Sequence, residues 1–324
     1  MIVMCALSNR FRVVAFSLAL LAGISNACAQ SYPVRPLHLV SPFPPGGGND
    51  VISRALANGM TRHIGQSVIV DNRPGAETVV GMSMVAKAAP DGYTLIMTSS
   101  TYAINPTLNP GLPYTVKDFE PVSLIGSAPL ILTTNPSLPL SSVADIIVLA
   151  KAKPGQVFAG SASLASRLAI ELLNMMAGVK VVHVPYKGTA LAATDLMGNR
   201  VHLTFASAPG VLPHIKTGKL RGIAVTGASR SQVMPDLPTV AERLPDFEAS
   251  TWYGVLVPAG TSPDIVRRLG ADIAKALAEP DVRERLITQG IDVAGSTPEQ
   301  FKSYVQAEIV KWAKVIKFAD VRPD

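Results

Sequence analysis

Leu37-His38-Leu39-Val40-Ser41-Pro42-Phe43-Pro44-Pro45-Gly46-Gly47-Gly48-Asn49-Asp50 is the stretch from which the fold can be read. Leu37 to Ser41 reads as a short buried strand and Pro42 to Gly48 as a loop. Asn49 to Ile64 follows as a helix, with apolar residues at Ile52, Ala55, Leu56, Met60 and Ile64. Ser67 to Val70 predicts a second strand. Thr78 to Ala89 predicts a second helix, stopped by Pro90-Asp91-Gly92, and Tyr93 to Met97 a third strand. Strand–helix–strand–helix–strand is a βαβαβ unit, which requires parallel strands with helices packed on the faces.

The alternation starts again after Pro129. Leu130 to Thr134, Val157 to Gly160, Val181 to Val184 and Val201 to Ala206 read as strands. Between them, helices are predicted from Ser142 to Lys153, from Leu164 to Ala177 and from Thr189 to Met197. Beyond Pro258 the pattern is helical: Ser262 to Leu277, a short helix after Pro280, and Pro298 to Phe318. The economical architecture is two α/β lobes with a helical tail. Pro-rich punctuation at Gly126-Ser127-Ala128-Pro129 and within Pro235 to Pro258 marks two crossings between lobes. Two crossings permit closure on a ligand. The expected division is 30–128 plus 251–324 for the first lobe and 129–250 for the second.

The first residues read as an export leader. Arg10 and Arg12 form a positive region, Val13 to Ile24 an apolar stretch, and Ala27-Cys28-Ala29 a cleavage signal, so residues 1–29 are expected to be removed. A short membrane anchor is the alternative for this segment, and Cys28 raises a weaker lipoprotein option. Cleavage leaves 295 of the 324 residues and, because the leader holds two arginines and no acid, takes the formal charge from +6 to +4. Both cysteines, Cys5 and Cys28, leave with it. An exported chain without cysteine must draw its stability from a full-sized core. Apolar residues at 48% and charged residues at 16% exclude a disordered chain. Aromatics at 6% argue against nucleic-acid stacking platforms, so no nucleic-acid partner is expected.

Ligands of open α/β sheets sit at the C-terminal ends of strands. The residues expected to bind there are Phe43, Pro45, Gly46, Gly47, Gly48 and Asp50 in the first loop. Thr98, Ser99 and Ser100 follow the third strand; Gly160, Ser161 and Ser163 a later one; Ser207 follows Phe205. Three consecutive glycines let main-chain N–H groups converge beside a helix N-terminus, a cradle for a carboxylate or small phosphate. A tight turn with no ligand reads equally well from the residues. Asp50 cannot favour an anion by charge; it either bonds first-turn N–H groups or accepts a ligand hydroxyl or ammonium. Ser161 and Ser163 also suit plain helix capping. The loop matches neither dinucleotide nor Walker patterns, and no cofactor is expected.

Catalytic and metal constellations are missing from the sequence. There is no G-x-S-x-G or H-E-x-x-H, and the five histidines, His38, His63, His183, His202 and His214, lack metal-ligand spacing. Each is expected in a surface or core role. Lys311, Lys314, Lys317 and Arg322 read as a solvated face. No catalytic residue and no metal ligand is assigned, and the chain is not expected to be an enzyme.

Pro42-Phe43-Pro44-Pro45-Gly46-Gly47-x-x-Asp50, Asp71-Asn72-Arg73-Pro74-Gly75-Ala76 and Ala89-Pro90-Asp91-Gly92-Tyr93 resemble the Bug-type receptors. These are the extracytoplasmic solute-binding proteins of tripartite tricarboxylate transporters. His183-Val184-Pro185-Tyr186-Lys187-Gly188 and Trp252-Tyr253-Gly254 match the same family, in its order along the chain. The resemblance implies a two-lobed periplasmic-binding-protein (type II-like) fold, each lobe a mostly parallel sheet flanked by helices. It implies capture of a small organic anion (a di- or tricarboxylate, an amino acid or an aromatic acid) and delivery to large and small membrane permease subunits. It adds Tyr186 and Gly188 to the binding residues, and a periplasmic monomer is expected. In such receptors main-chain amides of two loops hold the ligand and Lys and Arg are largely absent from the pocket. A receptor for a membrane sensor kinase and an exported hydrolase are the alternatives.

Two departures from the family stand out. Relatives usually read P-G-x-x-x-Y-G-S-x-G-x-G-S-x-x-H-L where this chain has Pro154 to Leu168. The loop is two residues shorter, lacks both later glycines, and carries Arg167 where His is usual. Arg167 is expected one turn along the helix, outside the site. Ala76-Glu77-Thr78 likewise replaces the customary Ala-Gly-Gly.

Overall fold

The computed structural model describes residues 32–322. The expected leader and both cysteines lie outside them. Arg35–Asp324 form one compact unit, to which everything below belongs.

β1 (Leu37–Ser41) is buried except at His38, as a parallel strand covered on both faces should be. α1 (Gly48–Ile64) follows and ends at Gly65, whose φ of 79° is a left-handed cap that costs a glycine little. β2 (Val68–Asn72), α2 (Val79–Ala86) and β3 (Thr94–Ser99) complete the expected βαβαβ unit, with β1 parallel to both β2 and β3. α3 (Thr101–Leu108), which carries Pro106, and β4 (Phe119–Ala128) come next; neither was expected.

β5 (Leu130–Thr134) and α4 (Val143–Ala152) begin the second α/β run, α4 capped by the Ser142 side chain accepting from the Asp145 N–H. β6 (Val157–Ser161), α5 (Leu164–Ala177), β7 (Val181–Pro185), α6 (Thr189–Met197) and β8 (Leu203–Ser207) follow as expected. α7 (Ala208–Lys216) and β9 (Arg221–Val225) extend the run beyond it. β10 (Thr251–Pro258), α8 (Pro263–Ala278), α9 (Pro280–Thr288), β11 (Asp292–Val293) and α10 (Pro298–Ala319) end the described chain.

Two sheets result, ordered β11-β4-β10-β3-β1-β2 and β7-β6-β8-β5-β9. In the first, β10 and β11 run against the other four strands. In the second, β5 alone is reversed. Both sheets are therefore mostly parallel in direction, and two of the three reversed strands, β5 and β10, stand where the chain passes between sheets.

β4 in the first sheet runs through Pro129 straight into β5 in the second. The return is β9 in the second sheet to β10 in the first. β4 and β10 pair antiparallel from Thr251↔Ala128 to Pro258↔Phe119, so the outgoing and returning strands form one ribbon. Thr226, fully buried, joins them: its Oγ1 accepts from the Leu130 N–H at 2.8 Å and donates to the Ala249 carbonyl at 3.0 Å.

α10 packs on β4, on α3 and on α5, which places it against elements of both runs. Its Glu308 is buried, and one oxygen accepts from the indole N–H groups of Trp252 (3.0 Å) and Trp312 (2.9 Å). The other oxygen pairs with Lys311. Lys311 is thus committed to a buried carboxylate and not to a solvated face. Gly254 of β10 lies under Phe301 of α10 so closely that a Cβ would overlap the ring.

Candidate functional site

The loop between β1 and α1 is shaped by what Asp50 holds. Gly46 turns the chain at φ 81°, open to glycine but costly for other residues. Its N–H donates to Asp50 Oδ2 at 3.0 Å, and Arg54 Nε donates to the same oxygen at 3.0 Å. Asn72 Nδ2, at the end of β2, donates to Asp50 Oδ1 at 2.8 Å and to the Phe43 carbonyl at 3.2 Å. Burial pushes the Asp50 carboxyl up, but the bonds from Arg54, Gly46 and Asn72 outweigh it and hold the group below the ordinary carboxylate range. Asp50 is buried and works as the loop's internal tie. Gly47 caps α1 without any side-chain bond, and a Cβ at Gly46 or Gly48 would meet open space. The first-turn donors of α1 therefore lie beneath an unobstructed, exposed loop.

A cavity of about 700 Å³ opens between the two α/β runs. From the first come Glu77, Asn105 and Asn109; from the second come Ser161, Ser163, Arg167, His183 and Tyr186. Ser161 Oγ and His183 Nε2 are 2.5 Å apart, so His183 belongs to the cavity wall and not to a plain surface or core position. Tyr186 lies over Gly160, where a Cβ would come 3.1 Å from its ring, and its hydroxyl donates to Asp195 at 2.9 Å. Burial and that bond raise the Tyr186 pKa, which keeps the phenol protonated.

Arg167 also lines the cavity, against the expectation that it lies outside the site. Ser163 caps α5 and Leu164 is its first residue, so Arg167 falls in the first turn. On the opposite side, Ala76, Glu77 and Thr78 all take left-handed φ values of 43°, 49° and 82°. Each costs an L-residue about 1–2 kcal/mol. Asn105 Nδ2 braces this segment by donating to the Glu77 carbonyl at 3.3 Å.

A Ser–His pair in a cavity invites comparison with a nucleophile and its base. The donors best placed to hold an oxyanion are already occupied: the N–H groups of Ala162 and Ser163 donate to Ser166 Oγ at 3.1 and 3.2 Å. Among the described residues no three His, Cys, Asp or Glu side chains gather as a metal site. The arrangement suits reversible polar binding.

Residues 52–321 match the family model described as the tripartite tricarboxylate transporter family receptor. The chain belongs to this family. It is 41% identical over 303 residues to the protein BugT of Bordetella pertussis, spanning 91% of this chain and 93% of that one. A ligand-free TctC solute-binding protein from Polaromonas superimposes with a TM-score of 0.83 at 31% identity, covering 89% of this chain and 99% of the other. The R. palustris protein Rpa4515, solved with adipate, gives 0.69 at 37% identity, covering 90% and 100%. These relatives confirm the two-lobed α/β fold and make the chain a solute-binding receptor.

Of the residues expected to bind, Ser161, Ser163 and Tyr186 line the receptor's main cavity. Ser163 and Ser207 line a smaller one of about 230 Å³ beside it. Phe43, Pro45, Gly46, Gly47, Gly48 and Asp50 line neither. Thr98, Ser99 and Ser100 are buried at the end of β3, where Ser99 Oγ lies 3.0 Å from Thr101 Oγ1 and the Ser100 N–H donates to the Trp252 carbonyl. Gly160 packs under Tyr186, and Gly188 caps α6 with open space at its Cβ position. Glu77, Asn105, Asn109, Arg167 and His183 enter the receptor's cavity wall without having been expected there. For Arg167 and Glu77 the departure from the family pattern was the available signal.

Proposed function

We propose that this receptor works in the periplasm, after removal of residues 1–29, and captures a small carboxylate-bearing solute between two lobes. The lobes are 30–128 with 251–324, and 129–250. The captured solute passes to the large and small permease subunits of a tripartite transporter. The observation that carries this reading is the roughly 700 Å³ cavity whose polar lining is contributed by both α/β runs. A ligand that touches both walls favours the closed arrangement; one that touches a single wall does not.

The better superposition on the ligand-free relative than on the adipate-bound one, despite lower identity, supports reading the structure as the open arrangement. Closure would bring the exposed Phe43 to Gly48 loop and the first-turn donors of α1 towards the cavity. Micromolar capture needs about 8 kcal/mol. Several charge-assisted hydrogen bonds at about 1.5–3 kcal/mol each suffice once ordering costs are met. The donors already committed around Ser161 and His183 argue against turnover, so no enzymatic step is assigned.

Calorimetry on residues 30–324 with straight-chain mono- and dicarboxylates tests the proposal. Micromolar binding of at least one acid, with a matching rise in Tm, is expected. Absence of binding by every carboxylate, with binding of a neutral or cationic solute instead, overturns it.

A further inference from the structure

Among the described residues Arg167 stands apart from every other arginine. The rest are either largely exposed or bonded: Arg54 to Asp50, Arg200 to Asp195, Arg230 to Glu242, Arg268 to Asp272, Arg283 to Gln232, and Arg221 to two carbonyls. Arg167 is half-buried in the wall of the main cavity, and its Nε is fully buried without a partner. Glu171 stands one turn further along α5, where an ion pair could form, yet its carboxylate takes the Asn174 amide instead. A buried N–H left unpaired is costly unless an acceptor completes it, and an anion entering the cavity would be that acceptor.

The neighbouring main chain shows why a side chain is needed here. Ser163 and Ser166 form a reciprocal capping box, and the N–H groups of Ala162 and Ser163 are both given to Ser166 Oγ. The N–H of Ser166 goes to Ser163 Oγ. The loop has therefore spent three of its main-chain donors on its own cap. On this wall the cationic partner left for an anion is Arg167, with the Ser161–His183 pair beside it. Arg322 also reaches the cavity, but it is exposed and paired with Asp320.

Resting on the receptor reading above, we propose that Arg167 is the specificity-determining anchor for a second carboxylate, so that the solute is a dicarboxylate held by the guanidinium at one end and by main-chain donors at the other. The planar fork of arginine fits the two oxygens of a carboxylate, and lysine would supply charge without that fit. Glu77 on the facing wall repels a carboxylate placed near it, which favours the Arg167 side of the cavity for the charged end.

The test compares adipate with hexanoate, glutarate with pentanoate, and succinate with butyrate, on wild type, Arg167→Gln and Arg167→Lys, by calorimetry. Wild type is expected to prefer at least one diacid over its monoacid by about 10-fold or more. Arg167→Gln should lose about 10- to 100-fold for that diacid and leave the monoacid within about twofold, and Arg167→Lys should recover part of the loss. Since no protein group is bonded to this guanidinium, Tm of the ligand-free variant should not fall, which separates a binding effect from a folding one. Failure of every acid on wild type overturns the carboxylate-receptor reading, and this assignment with it. Diacid binding that survives Arg167→Gln, or an equal loss for diacid and monoacid, overturns the Arg167 assignment alone.

Discussion

Replacing Asp50 by alanine should weaken the fold more than it weakens solute capture. The carboxylate accepts three bonds, from the Gly46 N–H, Asn72 Nδ2 and Arg54 Nε. The Arg54 side chain is 50% exposed and rehydrates readily, so its pairing contributes at most about 1 kcal/mol. The Asn72 bond lies in a half-buried site and is charge-assisted, worth about 1.5–2 kcal/mol; the Gly46 bond, close to water, adds about 0.5–1 kcal/mol. The sum is about 3 kcal/mol, or a fall in Tm of roughly 5 °C for a chain of this size. Because the folded-state carboxyl is held below its ordinary value, this contribution is complete above about pH 4 and is lost as pH falls through the depressed folded value. Asp50→Ala should therefore lose its deficit relative to wild type in thermal melts taken at progressively more acid pH. A variant that melts like wild type at neutral pH while losing solute affinity would refute the reasoning and return Asp50 to the ligand.

Gly254→Ala should be destabilising by about 3 kcal/mol or more, since the new methyl group overlaps Phe301 in a fully packed interface; urea unfolding measures it. Glu308→Ala leaves two buried indole N–H groups without an acceptor and Lys311 with the Glu248 carbonyl but no counter-charge, and should cost about 4 kcal/mol. Glu308→Gln, which keeps an oxygen for the indoles, should lose about half of that in the same experiment. Gly47→Val fits its backbone, with φ at −77° and only the Pro44 carbonyl, 3.5 Å away, near the Cβ position. It should lower Tm little, by about 1 kcal/mol of stability at most, while obstructing the loop and removing solute binding measured by calorimetry.

The βαβαβ unit was legible because local signals agreed: the buried Leu37 to Ser41 run, the glycines after it, and the 3.6-residue spacing of α1. β4 and β10 were not, because Pro121, Pro129 and Pro258 punctuate them. A sequence reader takes proline as a break, whereas Pro121 falls at an irregularity of the β4–β10 register, Pro258 ends β10 and Pro129 lies just past β4. α3 was hidden by Pro106 and α7 by Pro209 and Pro213. Asp50 could be read as a bonding group of the first loop, but not its bond to Asn72, which depends on β2 lying beside β1. The cavity wall was least legible of all. Glu77, Asn105, Arg167 and His183 come from four separate segments, and only the packing of the two sheets sets them around one space. Arg167 drew attention as a departure from the family pattern; its place in the wall follows from α5 beginning at Leu164, which puts it in the first turn.

Thr226 has a consequence for how the halves can turn. One hydroxyl grips the outgoing and the returning strand together, at the point where both leave the ribbon. The bridge couples the two strands, so under the proposed closure they are expected to bend together, as a door on a single pin and not as a panel on two loose straps. If closure occurs as proposed, such coupling directs binding energy into one swing and limits sideways or twisting excursions.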